Sequence, residues 1–197
     1  MKRRMKKRLP RFMSSLLKPI QHKGDIWVET VIYTLIALTM MGLVLAFVVP
    51  KIDEIQDKSV IEQSVNLMKD MNNVILSVVQ GGPGNKRLVE ATIKKGALII
   101  DGSDDKIFFT METDYVYSQH DEEINIGNIK AITKKVGGTN NVTLKIDYSE
   151  YQIKTNGGDE ERRIEHSTTP YIITIENKGE EDVGGGVMKT VVDISVT

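Results

Sequence analysis

The chain has 197 residues and no cysteine, which allows one folded domain with appendages and excludes a disulfide framework, a thiolate metal site and a cysteine nucleophile. A net charge of −1 conceals an asymmetry: nine of the 26 Lys/Arg and none of the 27 Asp/Glu precede Asp25, so the rest of the chain sums to −10. An acidic body of this kind repels polyanions, and nucleic acid is not an expected partner.

Residues 1–24 read as a basic leader, with Lys2, Arg3, Arg4, Lys6, Lys7, Arg8, Arg11, Lys18 and Lys23. From Ile26 to Val49 the chain is continuously apolar, and Glu29 is its only charged side chain. A helix of that length runs about 36 Å, enough to cross a hydrocarbon core of about 30 Å with some tilt. A buried core helix is a poor alternative, because too little apolar sequence remains to wrap a rod that is hydrophobic all round. The expected span is therefore 25–50 in a lipid bilayer. The bases on its N-terminal side place the leader in the cytoplasm and the C-terminal part outside. The apolar stretch is too long for a secretory signal core, and no small-residue cleavage site follows it.

Lys23-Gly24-Asp25-Ile26-Trp27-Val28-Glu29, entering an apolar helix behind a basic leader, resembles the class III signal peptide of type IV pilins and the archaeal type IV pilin and archaellin superfamily. The resemblance covers residues 2 to about 55. It implies that a prepilin peptidase cuts between Gly24 and Asp25. Glu29 then becomes the fifth mature residue, the position at which the family carries a glutamate that pairs with the N-terminal amine of an adjacent subunit. A carboxylate in hydrocarbon is costly without such a partner. The alternative for Glu29 is that it lies one turn from the interface and snorkels to it, near Lys23. Copies of the chain or other pilins, an assembly platform and an ATPase are further partners implied by the resemblance.

Beyond Pro50 the pattern becomes amphipathic. Val60, Ile61, Val65, Leu67, Met68, Met71, Val74, Ile75, Val78 and Val79 recur at three- and four-residue spacing, so residues 51–80 are expected to continue the span as a helix bent near Pro50. A dimerising coiled-coil stalk is the alternative use of that stripe. Gly81-Gly82-Pro83-Gly84 ends the helix.

Residues 81–197 read as a β-rich head. Apolar residues alternate at Val89/Ala91/Ile93, Leu98/Ile100, Ile107/Phe109/Met111, Val142/Leu144/Ile146/Tyr148, Tyr171/Ile173/Ile175 and Met188 to Val196, with Gly/Asn/Asp clusters between them. These features predict one antiparallel sheet of about six to eight strands, covered by the apolar face of residues 52–79, an α+β fold. Residues 155–169 are long and charged and are expected to form a solvated loop.

Chemistry-bearing patterns are sparse. His22, His120 and His166 lie in no metal or nucleophile motif, and neither His120 with Asp121, Glu122 and Glu123 nor Asp101, Asp104 and Asp105 has the spacing of a calcium loop. No catalytic residue, metal or cofactor is therefore expected, and the chain does not read as an enzyme. Asn141-Val142-Thr143 is an N-glycosylation triplet expected in a surface turn. The sequence thus points to a structural subunit of a type IV pilus-like surface filament, trimmed after Gly24 and assembled through its apolar helix, with adhesion among its uses. The alternative is an uncleaved single-pass protein that displays its β domain as a binding module.

Overall fold

The computed structural model describes residues 25–197. The leader and Gly24 lie outside the described residues. The chain divides at Pro50 into two compact units, residues 1–49 and 50–197. A helix, α1 (Asp25–Gln80), supplies the described part of the first unit and opens the second. Proline removes one helical hydrogen bond and crowds the preceding turn, yet the helix continues without a break through Pro50, the residue at which the chain divides.

In the second unit, Ile61, Val65, Met68, Met71, Ile75 and Val78 of α1 are at most 5% exposed. Steps of three and four residues put these six on one face. The opposite face carries Ser59, Glu62, Asn66, Lys69 and Asn73, all solvent-exposed. Met68 and Met71 are unbranched and adaptable, suited to filling the irregular gap between a helix and twisted strands.

The helix stops at Gly81 and Gly82, the latter at φ 80, where the Gly82 N–H donates to the Val79 carbonyl at 3.1 Å. Ten strands follow: β1 (Lys86–Ala91), β2 (Ala97–Asp101), β3 (Lys106–Thr113), β4 (Glu123–Ile126), β5 (Ile129–Val136), β6 (Thr139–Asp147), β7 (Tyr151–Thr155), β8 (Arg162–Glu165), β9 (Tyr171–Asp182) and β10 (Met188–Val196). They form two sheets. One has four strands in the order β1-β9-β10-β7, and the other has six in the order β4-β5-β6-β3-β2-β8. Every pair is antiparallel except β10–β7, which is parallel.

The α+β class agrees with the sequence reading, whereas the single, wholly antiparallel sheet does not. The strands number ten, not six to eight, and two features hid the additional ones. In β5 the inward row is Ile129, Ala131 and Thr133, so a small residue and a buried threonine mask the alternation. In β8 only Ile164 of Arg162–Glu165 faces inward, at 2% exposure, so one core residue turns part of the expected 155–169 loop into a sheet edge. Ile164 lies opposite Leu98 on β2.

Both sheets feed one core. Ile153, Ile173, Ile175, Val192 and Ile194 of the smaller sheet cluster with Leu98, Ile107, Phe109, Val142 and Leu144 of the larger one and with the helix face. At roughly 1.5–3 kcal/mol for each fully buried large aliphatic side chain, this shared core is the main force holding helix and strands together.

Polar bonds then fix the helix in register. The Asp57 carboxylate accepts from Lys95 Nζ at 2.6 Å and from Thr113 Oγ1 at 2.7 Å. The Tyr148 hydroxyl donates to Asn72 Oδ1 at 3.2 Å. Asn177 Nδ2 donates to the terminal carbonyls of Val78 and Val79 at 3.3 and 3.4 Å, so a β9 side chain satisfies groups that a helix end leaves open. Asn177 sits where the β9–β10 register shifts, and its own Oδ1 accepts from Gly179 N at 2.8 Å.

Candidate functional site

The feature that sets this chain apart is the first unit's helix. Trp27, Leu38, Met41, Leu43, Leu45 and Phe47 are all exposed, Phe47 at 76%, and the most apolar part of the helix has no burial within the chain. A soluble protein would cover such a surface, since monomers rarely expose large contiguous apolar patches. The helix is long and apolar enough to cross a membrane.

Its polar side chains are largely accommodated by the helix itself. Thr34 Oγ1 donates to the Thr30 carbonyl and Thr39 Oγ1 to the Leu35 carbonyl, both at 2.7 Å. These back-bonds give each hydroxyl a partner that needs no water. Glu29 is different in kind. It is the one carboxylate within the 26–49 stretch, it is exposed, and it stands one helical turn beyond Asp25. Asp25 begins the described helix; its junction partner Gly24 lies outside the described residues.

In the second unit, the exposed side of α1 keeps two large apolar residues close to Pro50: Ile52 at 46% and Ile55 at 68% exposure. No core residue covers them.

Asn141 is not in a turn. The turn is Gly137-Gly138, and Asn141 lies on β6, an inner strand of the six-stranded sheet, opposite Glu112 on β3 and Lys134 on β5. The sequence misplaced it because strand β6 begins immediately after the glycines, at Thr139.

The acidic clusters serve the fold. Asp101 Oδ1 accepts from the backbone of Ser103 and Asp104 at 3.0 and 3.2 Å, which shapes the β2–β3 turn. Asp105, at φ 52, accepts Ile153 N at 2.9 Å and Lys189 Nζ at 3.0 Å, and so ties that turn to β7 and β10. His120 Nε2 is 2.8 Å from Asn140 Oδ1, and His166 Nδ1 is 3.1 Å from the Ile93 carbonyl. His22 lies outside the described residues. Among the described residues, no group of three or more His, Asp or Glu is disposed to hold a metal ion.

Titration behaviour follows the same structural logic. Burial pushes the Tyr148 hydroxyl well above the usual tyrosine range, with Tyr151 adding to it. Burial and the nearby Glu62 raise Tyr117. The Ser149 backbone N–H holds Asp147 below the usual carboxylate range. Tyr148 is buried and Tyr117 half-buried in the packing of the head, whereas Asp147 is exposed at the end of β6.

Sequence reasoning missed Asp57. The available signal was an acid one turn before Ile61 on an otherwise apolar face. Comparison of the chain with protein-family models, with curated proteins and with solved structures finds no match.

Proposed function

We propose that the chain is a structural subunit of a type IV pilus-like surface filament. It is inserted as a single-pass precursor, cut between Gly24 and Asp25, and assembled through the helix that begins at Asp25. The observation that carries this reading is the uncovered apolar helix with one carboxylate, Glu29, five residues past Gly24. A bilayer covers the apolar surface before assembly, and the same surface of neighbouring copies covers it afterwards. Apolar packing is not directional, so register has to come from a polar contact. Glu29 supplies it by pairing with the amine freed at Asp25 of the next copy, where low dielectric strengthens the attraction and makes a mismatched carboxylate cost several kcal/mol.

In this reading the precursor keeps its leader in the cytoplasm and its β head outside, and the head becomes the filament exterior, available for adhesion. A prepilin peptidase, an assembly platform and an ATPase act on it. Its role is structural and not enzymatic.

N-terminal sequencing of the protein from membranes and from sheared surface material tests the proposal. The expected start is Asp25. A leader that remains attached on a monomeric protein would leave the single-pass binding module in its place. Glu29→Ala is expected to leave precursor abundance in the membrane unchanged and to abolish filaments; filaments at normal abundance would remove Glu29 from the mechanism.

A further inference from the structure

We propose that Asn141 is glycosylated on its side-chain nitrogen and that the attached sugar rests in a polar cavity on the outer face of the six-stranded sheet. Asn141-Val142-Thr143 is the only Asn-X-Ser/Thr triplet in the chain. The inference requires the head to lie outside the cytoplasm, and it is independent of whether the protein forms filaments.

The argument begins with strand geometry. Along β6, Asn140 and Val142 point inward, at 8% and 0% exposure. Asn141 and Thr143 therefore share the outer face. Thr110 on β3 is directly opposite Thr143. Thr110 Oγ1 donates to Asn141 Oδ1 at 2.9 Å, and Thr143 Oγ1 donates to the same oxygen at 3.3 Å. Two hydroxyls thus occupy the lone pairs of one amide oxygen and fix the plane of the side chain. The other end of the amide, Nδ2, has no protein acceptor among the described residues, and it is the atom that would carry a sugar.

Asn141 also lines an open cavity of about 390 Å³, together with Lys95, Glu112, Arg163, Glu165 and His166. Those side chains offer both donors and acceptors around a space that no core residue fills, which suits a hydroxyl-rich ring. Lys95 and Arg163 are about half exposed and each is paired with a carboxylate, Asp57 and Glu165, so the rim of the cavity carries both charges while keeping its own ion pairs.

Because β6 is paired on both sides, a transferase cannot draw the triplet out of the finished sheet. The transfer takes place on the unfolded chain after it has crossed the membrane. The donor class is a lipid-linked oligosaccharide phosphate. A bond forms between Nδ2 and the anomeric carbon, and the carbon–oxygen bond to the lipid phosphate breaks. The phosphate leaves with the electron pair, and the amide nitrogen gives up one proton to a base of the transferase. The cavity then lets the sheet close with the sugar in place.

The test is the mass of the tryptic peptide 136–145, taken from full-length protein purified from the cells that naturally make it. The expected mass exceeds the bare peptide by an oligosaccharide. The increment is expected to vanish in Asn141→Gln and Thr143→Ala and to survive in Thr143→Ser. A bare peptide from the unaltered protein overturns the proposal without recourse to any variant that might fold poorly. An increment that persists in Asn141→Gln overturns it as well. Seating of the sugar is read separately from His166, whose acylation by diethyl pyrocarbonate is expected to slow severalfold relative to the unmodified chain made in a host without the transferase. Equal rates would show a sugar that stands clear of the cavity and would reject that half of the proposal.

Discussion

Asp57→Ala tests how the amphipathic half of the helix is held against the strands. The Asp57 side chain is 12% exposed, and its two partners differ in their surroundings. Thr113 is 3% exposed, so its hydrogen bond to a charged acceptor falls in the range of about 1.5–3 kcal/mol. Lys95 is 46% exposed, and water screening reduces that ion pair to about 0.2–1 kcal/mol. Loss of the carboxylate is therefore expected to cost about 2–3 kcal/mol. Thr113→Val is expected to cost somewhat less, and Lys95→Ala under about 1 kcal/mol. The assay is urea unfolding of the full chain in a nonionic detergent, followed by circular dichroism. At a slope of about 1–3 kcal/mol per molar urea, the Asp57→Ala midpoint is expected to fall by roughly 1 M or more with the slope preserved. A Lys95→Ala loss equal to that of Asp57→Ala would refute the reasoning, because it would make the screened ion pair, and not the buried hydroxyl bond, the main contributor.

Tyr148→Phe removes the hydroxyl bond to Asn72 and is expected to lower stability by about 1 kcal/mol at neutral pH. Burial raises the folded-state pKa of Tyr148, so its contribution is complete below the ordinary tyrosine value of about 10 and is lost as pH rises toward the folded value. An alkaline unfolding curve that is unaltered in Tyr148→Phe would contradict this. At Gly96, φ is +84 and an added Cβ would stand 2.4 Å from the Thr110 carbonyl oxygen; Gly96→Ala is expected to cost more than about 1 kcal/mol. Gly138→Ala, with nothing within 4 Å, is expected to stay within about 0.5 kcal/mol of the parent in the same urea titration. Ile55→Asn, at a 68% exposed position, is expected to leave head stability unchanged and, if the proposed filament forms, to reduce its yield in shearing assays; full yield would exclude Ile55 from subunit contacts.

The helical half of this architecture was legible because its signals are long and redundant. An apolar run of 24 residues and a stripe repeated from Val60 to Val79 survive any single exception. The strands with clean alternation, β3 and β6, were equally plain, whereas in β10 the register shift buries Val191 and Val192 in succession and leaves Met188 exposed. What stayed hidden depended on partners distant in sequence. Thr133 is fully buried because Ser118 meets its hydroxyl, with Ser118 N donating to Thr133 Oγ1 at 3.0 Å, and nothing local to Thr133 announces that. Ile164 is a lone core residue among charges, and its place opposite Leu98 on β2 brings it into the shared core. The parallel β10–β7 pair joins segments separated by two further strands, a closure no local pattern encodes. The candidate junction at Gly24 and Asp25 was visible only as sequence, whereas the surroundings of Asn141 needed the neighbouring strand.

The Asn177 latch on the helix end joins positions 99 residues apart, and β9 follows eight other strands in the chain. Closing such a long loop is entropically slow relative to local contacts. A ribosome would finish the α1 segment long before its cap exists. Synthesis of the first eight strands therefore runs ahead of tertiary closure, and the head stays pliable until β9 has emerged.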